Sequence, residues 1–246
     1  MSKDEFNEKI GRLTKSNTYL QYCKEVYGYK EYLFNMMDKE QIDFVLNSIP
    51  ISLEDTLVDL GCGPGSILNL LVAKYGCNGI GIDQLNGNIV NCSGKLTTYI
   101  NADIDRISNY SIKPTITLSI DSLYFSKDLN GLVRQLKNIE NNRMYFFYSQ
   151  YLLDEATGDK SILQSNNTKI AEALRNNGIP FKTIDYSENE RSLYKNSLKA
   201  LQKYRDAFKA EGNTDLYEQK YQEDLLGTNL YNRCLASRYL YIIDGV

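Results

Sequence analysis

The chain has 246 residues, with Lys+Arg 28 against Asp+Glu 31 and a net charge of −3. A nucleic-acid binder carries a basic stripe, and that excess is missing, so no nucleic-acid partner is expected. A mean hydropathy of −0.42 with no long apolar run excludes a membrane-spanning helix, the charged residues 1–6 do not read as a signal peptide, and a cytoplasmic protein with no membrane partner is expected.

Residues 4–49 read as helical. Ile42, Val45, Leu46 and Ile49 recur at helical spacing, and Pro50 ends the run. From residue 56 the pattern alternates. A short apolar strand at 56–60 is followed by a glycine cluster, and then by a helix marked by Ile67, Leu68, Leu71, Val72 and Tyr75 and closed by Gly76. A strand at 79–82, a short helix from Gly87 to Cys92, and strands at 97–100 and 116–120 come next. Ser126 is expected to cap a helix carrying Leu129, Leu132, Val133 and Leu136. Asn141-Asn142 supplies the turn before a fifth strand at 144–148. A helix at 168–176, a strand at 181–186, a charged helical stretch over 188–233 and a last strand at 238–243 complete the chain.

Parallel strands need crossover connections of this length. The alternation therefore predicts an α/β, doubly wound sheet with helices on both faces. Ligands of such sheets lie outside the carboxyl ends of the strands, at the switch point. That position holds Asp59-Leu60-Gly61-Cys62-Gly63-Pro64-Gly65, where three glycines let the backbone turn tightly against a ligand. Asp83 ends the second strand, where a carboxylate can accept two hydrogen bonds from a ribose diol. A third acid, Asp103, follows the third strand. The negative charge of Asp59 repels a pyrophosphate and attracts a ligand ammonium, which favours a nucleoside carrying an amino acid over a dinucleotide. Histidine is absent, so no imidazole base or His-ligated metal exists here. The five cysteines contain no Cys-x-x-Cys pair, and reduced thiols with no metal site are expected.

On these residues the sequence resembles the class I S-adenosylmethionine-dependent methyltransferases. Val58-Asp59-Leu60-Gly61-Cys62-Gly63-Pro64-Gly65 is similar to their first motif and Gly79-Ile80-Gly81-Ile82-Asp83 to their second. Asn101-Ala102-Asp103-Ile104 and Ser119-Ile120-Asp121-Ser122 are similar to the third and fourth. The resemblance covers about residues 50 to 150. It implies a Rossmann-like seven-stranded sheet with the last strand antiparallel, and S-adenosylmethionine as cofactor with S-adenosylhomocysteine as product. It implies cofactor contacts from Asp59, Gly61, Cys62, Gly63, Gly65, Asp83, Gln84, Asp103, Ile104 and Ser119. The expected organisation is a helical cap over 1–50, a cofactor-binding domain over 51–187 and 234–246, and a helical lid over 188–233.

The fourth motif lacks the Pro-Pro-Tyr/Phe run of nucleic-acid amine methylases, so the expected partner is a small-molecule substrate. Asp121 and Tyr124 follow the fourth strand beside the expected place of the methyl group, and Tyr148 ends the fifth strand pointing toward the site opening; these three are the candidate catalytic residues, and with Tyr27 they are also the candidate substrate contacts. An amine acceptor is favoured over a hydroxyl or carboxylate, with Asp121 orienting it. The tyrosines of the two helical parts offer faces to a cationic group. A protein methylase and a non-catalytic sensor remain the alternatives.

Overall fold

The computed structural model describes residues 3–87, 90, 94–154 and 158–245. Its strands are β1 (Thr56–Leu60), β2 (Asn78–Asp83), β3 (Thr97–Asn101), β4 (Ile116–Ile120), β5 (Arg143–Tyr151), β6 (Lys182–Asp185) and β7 (Ala236–Ile243). They form one seven-stranded sheet in the order β3-β2-β1-β4-β5-β7-β6. β1 to β5 pair in parallel, and β7 lies antiparallel between β5 and β6. The chain order reverses between β1 and β4, so the ligand-binding crevice of this topology opens at their carboxyl ends.

The central strands are apolar because both of their faces are covered. Every residue of β4 is buried. Tyr145 and Phe147 of β5 join one hydrophobic cluster, while Met144, Phe146 and Tyr148 join the other across the sheet. The helices are α1 (Lys3–Leu13), α2 (Asn17–Tyr27), α3 (Lys39–Asn47), α4 (Ser66–Tyr75), α5 (Leu129–Lys137), α6 (Lys169–Asn176), α7 (Ser187–Ala210) and α8 (Thr214–Asn232). Leu13 of α1, Tyr22 of α2, Leu201 of α7 and Leu216 of α8 share the first cluster with Leu57, Ile120 and Phe147 of the sheet. The terminal helices are thus fused to the sheet through continuous packing. Among the described residues no helix is long and apolar enough to cross a membrane.

The fold departs from the sequence reading in two places. The helical stretch expected over 4–49 is three helices, with residues 28–38 outside them. Ser16 caps α2 by accepting from the Tyr19 amide at 2.9 Å, and Gly28 ends it at φ 78. Asp38 then starts α3 by accepting from the Gln41 amide at 3.0 Å. Second, the cap of α5 is Asp128, which accepts from the Gly131 amide at 2.8 Å; the Ser126 hydroxyl instead donates to Asp105. The helix expected from Gly87 to Cys92 falls largely outside the described residues. Asn141 does take the turn conformation before β5, at φ 60.

Candidate active site

The crevice starts from the way β1 ends. The Leu60 carbonyl accepts from the Ser122 hydroxyl at 2.5 Å and from the Ser119 hydroxyl at 3.2 Å. Both serines are buried, so Ser119 braces the turn from below. The amide of Gly61 donates to the Ile82 carbonyl at 2.7 Å, which folds the turn against β2. Gly61, Gly63 and Gly65 all hold positive φ, and Gly65 precedes α4 with no side-chain cap on the helix's first amides. Asp83 accepts from the Gly63 amide at 2.8 Å and from the Leu85 amide at 2.9 Å, so it ties the glycine turn to the end of β2.

Asp59 is buried beneath this turn, and its Oδ1 has no hydrogen-bond partner. Burial and the neighbouring charge of Asp83 push its carboxyl up to about 7. Together with Gly61, Cys62, Gly63 and Pro64 it lines a cleft of about 50 Å³. Cys62 is half-buried there. Gln84 is exposed after β2, and Ile104 is buried after β3. Asp103 accepts from the Asp105 amide at 3.1 Å and lies 3.6 Å from the exposed Lys127 ammonium.

The opposite wall of the cleft comes from the non-helical segment, through Tyr32, Leu33, Phe34 and Asn35. Its backbone is pinned from several sides. Ser66 of α4 donates to the Tyr32 carbonyl at 2.8 Å, Tyr19 to the Leu33 carbonyl at 2.6 Å, and Tyr27 to the Asn35 carbonyl at 3.1 Å. The Met36 amide donates to Asp121 Oδ2 at 2.7 Å. Phe34 and Asn35 also line a second cavity of about 300 Å³, bordered by α1, α2, α7 and α8. Tyr27, Asp121 and Tyr124 reach this second cavity. Tyr148 does not: it packs in the cluster on the other face of the sheet, its ring 6.1 Å from that of Tyr124.

Asp121 is bound within the protein. It meets Arg238 of β7 in a two-pronged ion pair, Nη1 to Oδ1 at 2.6 Å and Nη2 to Oδ2 at 3.0 Å. With the Met36 amide also bound, both carboxylate oxygens are engaged. Arg238 further donates to Ser149 at 2.8 Å and, through Nε, to Gln41 at 2.7 Å. Glu190 of α7 lies behind it, fully buried and bonded by Ser149, Tyr151 and Tyr231; burial raises its pKa, with Arg238 opposing.

Sequence reasoning missed Arg238, Glu190, Ser66 and the 32–36 segment. A lone arginine opening an apolar strand is itself a signal, because a buried charge demands a partner. Gly28 and the Asp38-x-x-Gln41 capping pattern would have marked the segment. Glu190 carries no such mark within a charged helix.

The family model described as methionine biosynthesis protein MetW matches residues 40–118. A search of curated proteins finds no match. Among solved structures, the cyclopropane synthase MmaA2 of Mycobacterium tuberculosis is similar at 13% identity over 98% of each chain, with a TM-score of 0.72. Phosphoethanolamine N-methyltransferase 2 of Haemonchus contortus, in complex with phosphomonomethylethanolamine and S-adenosylhomocysteine, is similar at 14% identity over 98% of this chain and 60% of that one, also at 0.72. An S-adenosylmethionine-dependent methyltransferase from Geobacter sulfurreducens, in complex with S-adenosylhomocysteine, gives 11% identity over 92% and 98%, at 0.60. The chain has the class I methyltransferase fold.

Proposed function

We propose that this chain is an S-adenosylmethionine-dependent methyltransferase that methylates a small molecule by in-line displacement. The observation that carries this reading is the buried Asp59 carboxylate, unpartnered at Oδ1 beneath the glycine turn. A buried carboxyl without a partner is costly, and a ligand ammonium would relieve it. An added Cβ at Gly63 would meet nothing within 4 Å, so the surface of the turn is open to a ligand. The residues present therefore suit the cofactor. The Haemonchus and Geobacter structures, which hold S-adenosylhomocysteine, support the same ligand class here.

In this reading Asp59 and the 61–65 turn hold the amino-acid part, and Asp83 receives the ribose hydroxyls. Asp103, Ile104 and Gln84 border the base. When bound, the sulfonium supplies an activated methyl whose bond to the acceptor forms as the carbon–sulfur bond breaks, its electron pair staying on sulfur. The chain then has to align the acceptor and exclude water, and positioning of that kind is worth roughly 7–11 kcal/mol. Any proton released by the acceptor passes to solvent. A cavity of about 300 Å³ lined by the cap helices is of a size that suits a small acceptor.

Calorimetry with S-adenosylhomocysteine tests the reading. Sub-millimolar binding that Asp83→Ala weakens at least tenfold is expected. Absence of binding at millimolar concentration would remove the proposal.

A further inference from the structure

The second cavity is the only one of the two described whose size suits a small organic molecule, since such sites run from about 300 Å³ upward. It measures about 300 Å³. Its walls are aliphatic and aromatic, with Ile10, Leu13, Phe34, Leu201, Phe208 and Leu216 among them. It meets the glycine-turn cleft at Phe34 and Asn35, which line both. An acceptor held there lies beside the place assigned to the methyl group, so the inference rests on the function proposed above.

The charged groups lining this cavity are Lys9, Asp121, Lys220 and Glu223. Each already has a partner. Lys9 pairs with Glu223 at 3.2 Å, Lys220 with Asp224 at 2.6 Å, and Asp121 with Arg238 at 2.6 Å. Asp224 is itself bonded by Ser197. A charged acceptor entering here would lose its hydration and gain no unpaired counter-charge, which is unfavourable. The polar groups left over are neutral. Asn35 Oδ1 accepts from the Met37 amide at 3.1 Å, which leaves its Nδ2 without a partner among the described residues. The Tyr124 hydroxyl is likewise without one.

We infer that the acceptor is an uncharged, predominantly apolar molecule, held between the cap helices with its reactive end at Asn35. This replaces the expectation of an amine drawn in by Asp121, because that carboxylate is already neutralised by Arg238.

The test uses the full chain and the neutral fluorophore N-phenyl-1-naphthylamine, with three competitors of equal chain length: 1-decanol, decanoate and decylammonium, all below their micellar concentrations at pH 7.5. The expected result is saturable one-to-one binding, displaced by 1-decanol at a concentration at least tenfold lower than either ion needs. Leu216→Trp and Ile10→Trp, which fill the cavity from two different helices, should each weaken fluorophore binding at least tenfold if folded by circular dichroism. Equal or better displacement by either ion overturns the inference, as does unaltered fluorophore binding in a folded Trp variant. Calorimetry with S-adenosylhomocysteine on the same samples reports the cofactor reading separately. Its failure beside a normal fluorophore titration would remove that reading while leaving an apolar cavity without a methyl donor.

Discussion

A Cβ placed on Gly61 would lie 2.2 Å from the Cβ of Ser122, whereas one placed on Gly63 would have nothing within 4 Å. Both glycines hold positive φ, 75° and 55°. The left-handed conformation costs an alanine roughly 1–2 kcal/mol at either position. At Gly61 the overlap with buried Ser122 adds to this and displaces the hydroxyl that holds the Leu60 carbonyl. Gly61→Ala should therefore lose well over 2 kcal/mol of stability in urea unfolding, and Gly63→Ala only about 1–2. The order reverses for the ligand. A folded Gly63→Ala protein should bind S-adenosylhomocysteine at least tenfold more weakly, because the new methyl occupies the open surface of the turn. Normal binding by that variant would show that the ligand lies elsewhere.

The Asp121–Arg238 pair joins the end of β4 to β7 in full burial, and through the Met36 amide it also fixes the strip that walls the cleft. Removing one partner of a buried pair typically costs about 3–5 kcal/mol. Arg238→Met also leaves Glu190 without the cation that opposes its raised pKa. Asp121→Leu and Arg238→Met should each fall in that range, and the double variant should lose less than the sum of the two. A double-mutant cycle by denaturant unfolding measures the coupling; additive losses would show that the pair does not act as a unit.

The sheet was legible in the sequence because its signals are local. An apolar run at 116–120 with no charge reads as a central strand wherever the chain goes, and Gly76 after Tyr75 marks a helix end from two residues alone. The turn at Asp59 and the acid at Asp83 were legible for the same reason. Asp121 was visible as a residue, but its ion pair was not, because its partner is Arg238, over a hundred positions away. Its engagement depends on β7 entering the sheet antiparallel beside β5, and no local pattern gives the contact. The 300 Å³ cavity was equally hidden, being a space between helices from opposite ends of the chain.

Ser66 and Tyr32 fasten one wall of the cleft to α4. The strip at 32–36 forms the opposite wall of this cleft, which holds about 50 Å³, so an outward shift of the strip would enlarge the room for a nucleoside. The bond from the Ser66 hydroxyl to the Tyr32 carbonyl, 2.8 Å, is one of its fastenings. A hydrogen bond of this kind contributes about 1 kcal/mol, or roughly fivefold in a rate. Ser66→Ala should speed the association of S-adenosylhomocysteine by about that factor. The chain has no tryptophan and Tyr32 lines the cleft, so stopped-flow tyrosine fluorescence can follow it. An unchanged association rate would mean that the strip is not the barrier.

Asp59 makes the protein's pH response diagnostic. Its carboxyl titrates at about 7 in the folded chain, through burial and the charge of Asp83, against about 3.9 when unfolded. Between those values the folded state holds the extra proton. The contribution of this group is therefore greatest below pH 4, declines as pH rises and levels off above 7, a total on the order of 4 kcal/mol. Asp59→Asn removes that slope, so the stability difference between variant and parent should grow from pH 4 to 7 in the variant's favour. A ligand ammonium beside Asp59 lowers the same pKa. Binding of S-adenosylhomocysteine at pH 6 should release close to one proton, read by calorimetry in buffers of different ionisation enthalpy, and affinity should rise toward pH 7.5. In Asp59→Asn both effects should vanish. Proton release that persists in that variant would assign the titrating group elsewhere and take the ammonium away from Asp59.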